Sequence, residues 1–247
     1  MGHLKMRLNH AIAATALLTA ACAPRTASTT DTTVPGSTAS AAGAAAGTTA
    51  QDGWRSLSDL SAWRGYKTTE VPAGWHAADG IISKENGIGD LLSRDQFANF
   101  ELDLDWKIES GGNAGIFYRG TEEYDHIYWS APEYQLLDDA NAPDGKNRLT
   151  SAAAAYAVYP PPAGVVKPAG EWNSTRIIVN GAHVEHWLNG QKVVDYELWS
   201  PDWKAKVAAS KFKDYPNYGL AKKGYLGIQG DHNGALSLRN IRIRELP

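Results

Sequence analysis

The sequence contains a single cysteine, Cys22, and several common functional signatures are missing with it. One cysteine cannot form a disulfide within the chain, and no paired-cysteine or His-Glu-x-x-His motif offers a zinc site. No Gly-x-Gly-x-x-Gly fingerprint joins a strand to a helix, and no Gly-x-Ser-x-Gly nucleophile elbow occurs. These absences exclude a dinucleotide-binding turn and a serine-hydrolase elbow, so we expect no nucleotide cofactor.

A long apolar run is also missing. The charge-free apolar segment near the start, residues 11–18, is shorter than the roughly 20 residues that a membrane-spanning helix needs. Lys5 and Arg7 precede it and small residues follow it, which is typical of a secretory signal. Cys22 stands where a bacterial lipoprotein signal places its lipidated cysteine. We therefore predict a lipoprotein signal peptide at residues 1–21, with an ordinary cleaved signal as the alternative.

Aromatic residues are absent from the first part of the chain. All nine Trp, all eleven Tyr and all four Phe follow Gln51. Residues 36–50 are only Gly, Ser, Thr or Ala, a composition that cannot bury enough apolar surface to fold. We predict that residues 22–51 form the lipidated cysteine and a flexible tether, and that residues 52–247 form one domain. Ala23 after the cysteine predicts anchoring at the outer membrane, on the periplasmic side.

Basic residues are not in excess. The chain has 24 Lys and Arg against 27 Asp and Glu, a formal net charge of −3. Removing Lys5 and Arg7 with the signal leaves 22 against 27, or −5. Nucleic-acid binding calls for basic stripes, so we expect no nucleic-acid partner and membrane contact only through the lipid anchor.

Strand patterns dominate the domain. Residues 99–110 alternate apolar and charged side chains, which predicts a half-buried antiparallel strand with a solvated acidic face. Asn180-Gly181 and Asn189-Gly190 predict two hairpins, because Asn-Gly readily takes positive φ at both central turn positions. Ser200, followed by proline and aspartate, predicts the start of a helix. About eleven short strands with one short helix predict a two-sheet sandwich or a barrel.

Two further strand predictions concern the second half of the domain. Residues 224–229 and 235–246 are expected to form a hairpin, and a slip in the apolar phase predicts a β-bulge near Arg239. Residues 154–159 are expected to form another strand.

Polar side chains occupy mid-strand positions between residues 111 and 139. Strand alternation places Phe117 with Arg119 on one face, and Glu133 with Gln135 on another. Buried charges need partners, so such positions rarely reflect packing alone. We interpret them as a polar floor inside a concave sheet, with an internal Arg119–Glu133 salt bridge as the alternative.

Six motifs of the domain carry a family resemblance. In chain order they are GGNAGIFYRG, APEYQLLDD, PAGEWNSTRIIVNG, VEHWLNG, GYLGIQGDHNG and RNIRIREL. Together they resemble the 3-keto-disaccharide hydrolase family, which is associated with 3-keto-glucoside 1,2-lyase and 3-keto-2-hydroxyglucal hydratase activity. The resemblance implies an all-β, concanavalin A-like jelly-roll sandwich of two antiparallel sheets. It also implies cleavage of 3-keto-glycosides by elimination across C1–C2 and hydration, downstream of a separate glucoside 3-oxidoreductase.

Two other functions remain open. A non-catalytic carbohydrate-binding module of the same fold would suit the aromatic content equally well, because tryptophan faces stack on sugars. A conventional glycosidase with two carboxylates is the third possibility.

The implied chemistry assigns roles to polar residues spread through the domain. Removal of the C2 proton needs a general base, and the enolate needs positive charge or a metal. The predicted catalytic residues are His232, Glu133 and Arg119, and the carboxylate of Asp231 is expected to orient the imidazole of His232. The predicted substrate-binding residues are Gln135, Asp138, Tyr156, Trp129, Trp172, Asn173 and Gln229. A divalent metal ion, if one is used, is expected on Glu133, Asp138 and His232. Ala142 stands where relatives often have a histidine.

Overall fold

The alternating residue pattern produces thirteen strands within residues 52–247, the part of the chain that the computed structural model describes. The predicted signal peptide, the tether and Cys22 lie outside the described residues. In chain order the strands are β1 (Arg55–Ser56), β2 (Trp63–Gly65), β3 (His76–Ala78), β4 (Ile81–Lys84), β5 (Leu91–Phe97), β6 (Phe100–Ile108), β7 (Asn113–Gly120), β8 (Glu133–Leu137), β9 (Asn173–Asn180), β10 (His183–Leu188), β11 (Gln191–Glu197), β12 (Gly224–Ile228) and β13 (Leu236–Glu245).

These strands form two antiparallel sheets. The large sheet has the order β11-β10-β9-β6-β13-β4-β3, with β1 paired to β13, and the small sheet has the order β2-β5-β12-β7-β8. The pairing of β13 shifts between Arg239 and Arg242, where Asn240 takes a left-handed φ of 54°. The predicted β-bulge is therefore confirmed, and so is the concanavalin A-like jelly-roll sandwich with one short helix.

The core lies between the sheets. Phe100, Leu102, Leu104, Trp106 and Ile108 alternate along β6 and are all buried. The small sheet meets them with apolar side chains from β7 and β8, and the buried apolar residues between the sheets form one continuous cluster. The alternation predicted for residues 99–110 is therefore correct, and it fixes which face of β6 points inward.

The opposite face of β6 is less solvated than predicted. Glu101 is only 4% exposed, and Arg176 Nε lies 3.0 Å from its carboxylate. The guanidinium of Arg176 also donates to Asp103 at 2.7 Å, and Arg242 donates to the same carboxylate at 2.8 Å. Arg244 Nε donates to Glu101 at 2.7 Å. The acidic face is thus a ladder of ion pairs, because arginines on β9 and β13 cover the carboxylates of β6.

The two Asn-Gly sequences form different turns. Asn189 and Gly190 both have positive φ, 50° and 82°, and connect β10 to β11 as predicted. Asn180 instead remains in β9 and pairs with His183, so Gly181 and Ala182 form the turn. Only Gly181 takes a positive φ there, 60°. The hairpin exists, but its turn begins one residue later than the sequence signal indicated.

The predicted C-terminal hairpin is wrong. β12 pairs with β5 and β7 in the small sheet, whereas β13 pairs with β4, β6 and β1 in the large sheet. Both edges of β12 are already occupied, so the chain must cross between the layers. Residues 229–235 form that crossing loop, which is the connection of a sandwich rather than a local turn.

The strand predicted at residues 154–159 is also wrong. Ala153 and Ala157 have φ values of 66° and 61°, which interrupt an extended backbone, and Ala155 makes only isolated bridges. The predicted helix is correct: α1 spans Pro201–Ala208, and Ser200 Oγ accepts a hydrogen bond from the backbone of the first turn. Between residues 52 and 247 no helix has the length and apolar character needed to cross a membrane.

Candidate active site

The outer face of the small sheet carries polar side chains that are nonetheless buried. Glu133 and Gln135 project from β8 and are 5% and 1% exposed. In the register of the two strands, Glu133 lies opposite Phe117 of β7, and Gln135 lies opposite Gly115. The predicted pairing of Glu133 and Gln135 on one polar face is therefore present in the fold.

Gly115 makes room for the carboxylate of Glu133. A β-carbon at this position would lie 2.1 Å from Glu133 Oε1, closer than any non-bonded contact allows. Gly115, the third glycine of the GGNAGIFYRG motif, is thus required because the side chain of Glu133 on the neighbouring strand packs over it.

Glu133 and Gln135 form part of the floor of a cavity of about 240 Å³. The walls come from β7, from the 3-10 turns that follow β7, β8 and α1, and from the crossing loop after β12. The lining residues are Asn113, Tyr128, Trp129, Glu133, Gln135, Asp144, Tyr156, Lys211, Gln229, Asp231 and His232.

The surroundings of Glu133 favour its neutral form. Burial is the main cause that raises the pKa of Glu133 well above the usual range of a glutamate. The positive charge of Lys211 opposes this shift, whereas the negative charges of Asp231, Asp90 and Asp144 add to it. A carboxyl group with a pKa raised in this way can take up and release a proton near neutral pH.

Lys211 brings a positive charge into the cavity. It begins the 3-10 turn Lys211–Asp214 that follows α1, and its side chain remains solvent-accessible. Its Nζ lies 4.3 Å from the centroid of the Tyr156 ring and 5.9 Å from that of Trp129. Partial burial lowers the pKa of Lys211, while the carboxylate of Glu133 opposes that change.

Two amide oxygens face the cavity without a partner. Gln135 Oε1 and Gln229 Oε1 are buried and accept no hydrogen bond from the described residues. The amide nitrogen of Gln135 donates to Asn113 Oδ1 at 3.2 Å, which orients the side chain. A buried acceptor without a donor is costly, so these oxygens are suited to hydroxyl donors of a ligand.

His232 lies at the rim of the cavity, in the crossing loop. Its imidazole is 45% exposed, and its Nε2 lies 3.8 Å from a carboxylate oxygen of Asp231. The backbone of the loop is firmly held from below, since Lys84 Nζ donates to the carbonyl of His232 at 2.6 Å. The carboxylate of Asp231 therefore lies beside the imidazole but beyond hydrogen-bond distance, so the orientation of His232 by Asp231 stays a prediction.

Aromatic rings form one side of the mouth. Trp129 stacks on Tyr215 with ring centroids 4.0 Å apart, and Tyr128 stacks on His126 at 4.8 Å. Trp129 and Tyr128 contact each other edge to face, so the four rings form a continuous surface. Such a surface suits the apolar faces of sugar rings.

The structure brings six of the predicted site residues to this cavity: Glu133, Gln135, Trp129, Tyr156, Gln229 and His232. It does not bring Arg119. The guanidinium of Arg119 donates to the carbonyls of Ala98 and Gly181 at 2.8 Å each, and to Asn99. A left-handed φ of 52° at Arg119 breaks the strand alternation and turns its side chain to the end of the sandwich. The expectation that Arg119 belongs to the same polar floor as Glu133 is therefore wrong, and so is the alternative salt bridge.

Three other predicted residues also lie elsewhere. Asp138 accepts hydrogen bonds from the backbone of Gly111 at 2.8 Å and from the side chain of Asn141 at 2.7 Å, which fixes its own loop. Asn173 Oδ1 accepts from two neighbours, the Lys167 backbone and the Asn189 side chain. Trp172 packs beneath the guanidinium of Arg239, which lies 4.0 Å from the centroid of a Trp172 ring.

The predicted metal ligands do not form a set. Asp138 is committed to its loop, so only Glu133 and His232 of the three reach the cavity. Among the described residues, one His and acid cluster has ligand atoms within 4.8 Å of one another, namely His183, Glu185 and Asp195. Lys192 contacts both carboxylates of this cluster, at 3.2 and 2.5 Å. The predicted ligand residues therefore do not fit the expected metal ion.

Sequence reasoning missed four residues that line the cavity: Asn113, Tyr128, Asp144 and Lys211. Asn113 could have been found, because it precedes Gly115 and Phe117 at strand spacing, but its glycine-rich context resembled a turn. Lys211 offered no signal, since a turn far along the chain carries it to the site.

A larger groove, of about 760 Å³, runs along the outer face of the large sheet. Its charged side chains include Asp103, which already accepts hydrogen bonds from both Arg176 and Arg242. Size alone therefore does not identify the site, and the smaller cavity is the one with unsatisfied polar groups.

Comparisons with known proteins identify the family of this chain. A sequence family described as the 3-keto-alpha-glucoside-1,2-lyase-like domain matches residues 53–244. A Bacteroides thetaiotaomicron protein named 3-keto-disaccharide hydrolase is 36% identical over 232 residues, covering 79% of each chain. A crystal structure from Parabacteroides distasonis, described as a "putative glycosyl hydrolase", superposes with a TM-score of 0.74 at 32% identity, covering 79% of this chain and 95% of that one. A second such structure from that organism has a TM-score of 0.58 at 28% identity, with 74% and 99% covered.

Proposed function

This chain belongs to the family of 3-keto-alpha-glucoside-1,2-lyase-like domains, and we propose that it hydrolyses 3-keto-disaccharides and related 3-keto-glycosides in the cavity around Glu133. The relative from Bacteroides thetaiotaomicron supports this substrate class. The observation that carries the proposal is a buried carboxyl group, with a raised pKa, that faces a cavity containing a cation and two unpaired amide oxygens.

The reaction proceeds by elimination followed by hydration. A ketone at C3 acidifies the hydrogen at C2, so a base can remove that proton and leave an enolate. The enolate reforms the ketone as the C1–O bond breaks, giving a C1–C2 double bond and the released alcohol. Water then adds its oxygen to C1 and a proton to C2. The sum is hydrolysis, with one water consumed and no net oxidation.

Glu133 is the base that takes the C2 proton. Its raised pKa keeps proton transfer nearly balanced in both directions, as the return of a proton to C2 during hydration also requires. The glutamate begins β8, and its carboxylate packs closely over Gly115 of the neighbouring strand β7.

Lys211 and His232 complete the proton and charge balance. The ammonium of Lys211 stabilises negative charge on the enolate oxygen, the role that sequence reasoning had given to Arg119. His232, at the rim, donates a proton to the departing glycosidic oxygen and later accepts one from the attacking water. Gln135 and Gln229 accept hydrogen bonds from sugar hydroxyls, and Trp129 covers a face of the ring.

Parallel incubations with a 3-keto-glucoside and its unoxidised parent test the substrate class. We expect turnover of the keto compound alone. Turnover of the parent would instead support a two-carboxylate glycosidase, for which Asp144 and Asp231 supply further carboxylates in the cavity. Binding of either sugar without turnover would support a carbohydrate-binding module.

Hydrolysis in deuterium oxide tests the elimination step. The C2 proton leaves and a solvent deuteron replaces it, so the product should carry deuterium at C2. Product incubated with Glu133→Gln controls for spontaneous exchange next to the ketone. Product that retains its original C2 hydrogen during turnover would contradict elimination and indicate direct displacement at C1.

The substrate class requires a partner reaction. A glucoside carries a hydroxyl at C3, so a separate oxidoreductase must oxidise it to the ketone before this enzyme can act. Adding a glucoside 3-oxidoreductase and its acceptor to the unoxidised parent should restore cleavage. Continued resistance of the parent to the coupled system would contradict this order of reactions.

We also propose that the protein is exported and anchored in the periplasm, at the outer membrane, through lipidated Cys22. The signal pattern of residues 1–21 supports this location. Mass spectrometry of the membrane-extracted protein should find a diacylglyceryl group at Cys22. A soluble product that begins at another residue would overturn the anchor and leave the enzymatic proposal intact.

A further inference from the structure

A buried lysine lies beneath the crossing loop that carries His232. Lys84, the last residue of β4, is only 1% exposed, and lysine is rarely buried without a partner. Its ammonium contacts three backbone carbonyls: His232 O at 2.6 Å, Gly234 O at 3.1 Å and Asn86 O at 3.4 Å. An ammonium has three N–H donors, so each donor finds one acceptor and the charge stays solvated by the protein.

The surrounding contacts hold the same loop from other directions. The backbone N–H of Gly230 donates to Asp90 at 2.7 Å, and that of Gly87 donates to Asn233 Oδ1 at 3.1 Å. A β-carbon at Gly87 would lie 2.7 Å from the carbonyl of Asp231, so the two segments are in close backbone contact. The loop is therefore fastened to residues 84–90 along its whole length.

We propose that Lys84 is a positioning residue, whose ammonium binds the carbonyls of the crossing loop and thereby fixes the imidazole of His232 at the rim of the cavity. This inference rests on the proposed role of His232 in proton transfer. Its physical basis is that a carbonyl held at 2.6 Å belongs to His232 itself, so loss of the ammonium frees the backbone from which the imidazole projects. Misplacement of a reacting group by about 1 Å can cost about 10²-fold in rate.

A double-mutant cycle separates positioning from general stabilisation. Lys84→Met keeps the length and the apolar stem of the side chain but removes the donors. We expect kcat to fall by about 10²-fold with KM nearly unchanged, because sugar binding depends on the other walls. Lys223→Met, at an exposed lysine outside the cavity, is the matched control and should retain wild-type kcat. In a background of His232→Ala, Lys84→Met should cost little more, since the group it positions is gone.

A second variant tests the inference even if Lys84→Met fails to fold. Asn233→Ala removes another fastening of the loop without touching the buried lysine. It should lower kcat less than Lys84→Met does, and it should again have no further effect beside His232→Ala. Hydrogen exchange of the amides at residues 231–234 should accelerate in both variants, and Lys84→Arg should restore part of the protection and of kcat.

Additive losses in the cycle, or an unchanged kcat in a folded Lys84→Met, would overturn the inference. A His232→Ala variant with wild-type turnover would also overturn it, while leaving Glu133 and the substrate class to their own tests. Absence of turnover on any 3-keto-glucoside by the wild-type protein would instead overturn the proposed function.

Discussion

The two outer faces of the sandwich both carry acidic side chains in mid-strand, yet their electrostatics are opposite. On the large sheet, Glu101 and Asp103 are each bonded by two arginines. On the small sheet, Glu133 is just as buried as Glu101, but burial and, to a smaller extent, nearby carboxylates raise its pKa, and Lys211 provides the main opposing charge. Removal of a buried acid whose charge is paired destabilises a fold, whereas a buried acid without such partners is suited to chemistry.

The largest effect is expected from substitution of the unpaired glutamate, Glu133, on the small sheet. Glu133→Gln keeps the shape of the side chain but removes the base, so kcat should fall by about 10²–10⁴-fold while the fold remains intact. Steady-state rates with a 3-keto-glucoside measure the effect. Wild-type turnover in a folded Glu133→Gln would transfer the base role to His232.

The next largest effect is expected from a steric change beside the carboxylate of Glu133. Gly115→Ala should displace the carboxylate of Glu133, because the new β-carbon would lie 2.1 Å from Oε1, and kcat should fall by about 10²-fold. Gly227→Ala, in β12 of the same sheet, is the matched control, since the atoms nearest its new β-carbon belong to Ile127 and Phe117. Rates and unfolding midpoints should show lost activity in the first variant and mainly lost stability in the second. Equal losses of activity would indicate a general packing defect.

Sequence reasoning succeeded where local pattern decides structure. The inward face of β6, the bulge near Arg239 and the start of α1 follow from alternation, phase and capping, which are properties of neighbouring residues. Glu133 and Gln135 were found for the same reason, because they share a face at a spacing of two.

It failed where long-range contacts decide structure. The side chain of Arg119 leaves its expected face because its φ is left-handed, which no residue pattern predicts. Lys211 reaches the cavity from a turn far along the chain. The segments 224–229 and 235–246 resembled a hairpin, but β12 had no free edge because β5 and β7 already flank it. Strand adjacency in sequence does not show which sheet a strand joins.

On the large sheet, the counterpart of Glu133→Gln is Glu101→Gln, which should affect stability and not catalysis. Glu101→Gln leaves two arginines without their shared carboxylate, and we expect a loss of about 1–3 kcal/mol in the free energy of unfolding. Denaturant unfolding measures the loss, and kcat should stay within about two-fold of wild type. A large drop in kcat with unchanged stability would contradict the structural role of this face.

The smallest effect is a difference in pH dependence. A raised pKa means that folded Glu133 binds its proton more tightly than the unfolded chain does, so its contribution to stability is present at low pH. That contribution is lost as pH rises from the usual glutamate range through the raised folded pKa. The unfolding midpoint of Glu133→Gln should therefore increase relative to that of wild type as pH rises through this window. Parallel pH curves would contradict a perturbed glutamate.

Direct titration of Glu133 tests the central claim, that this buried carboxyl is poised for proton transfer. Carbon-13 labelling of glutamate side chains gives one carboxyl signal for each residue, and the signal missing from Glu133→Gln identifies Glu133. Its midpoint should lie well above the model-peptide value of about 4.3. A midpoint in the ordinary glutamate range would contradict the claim.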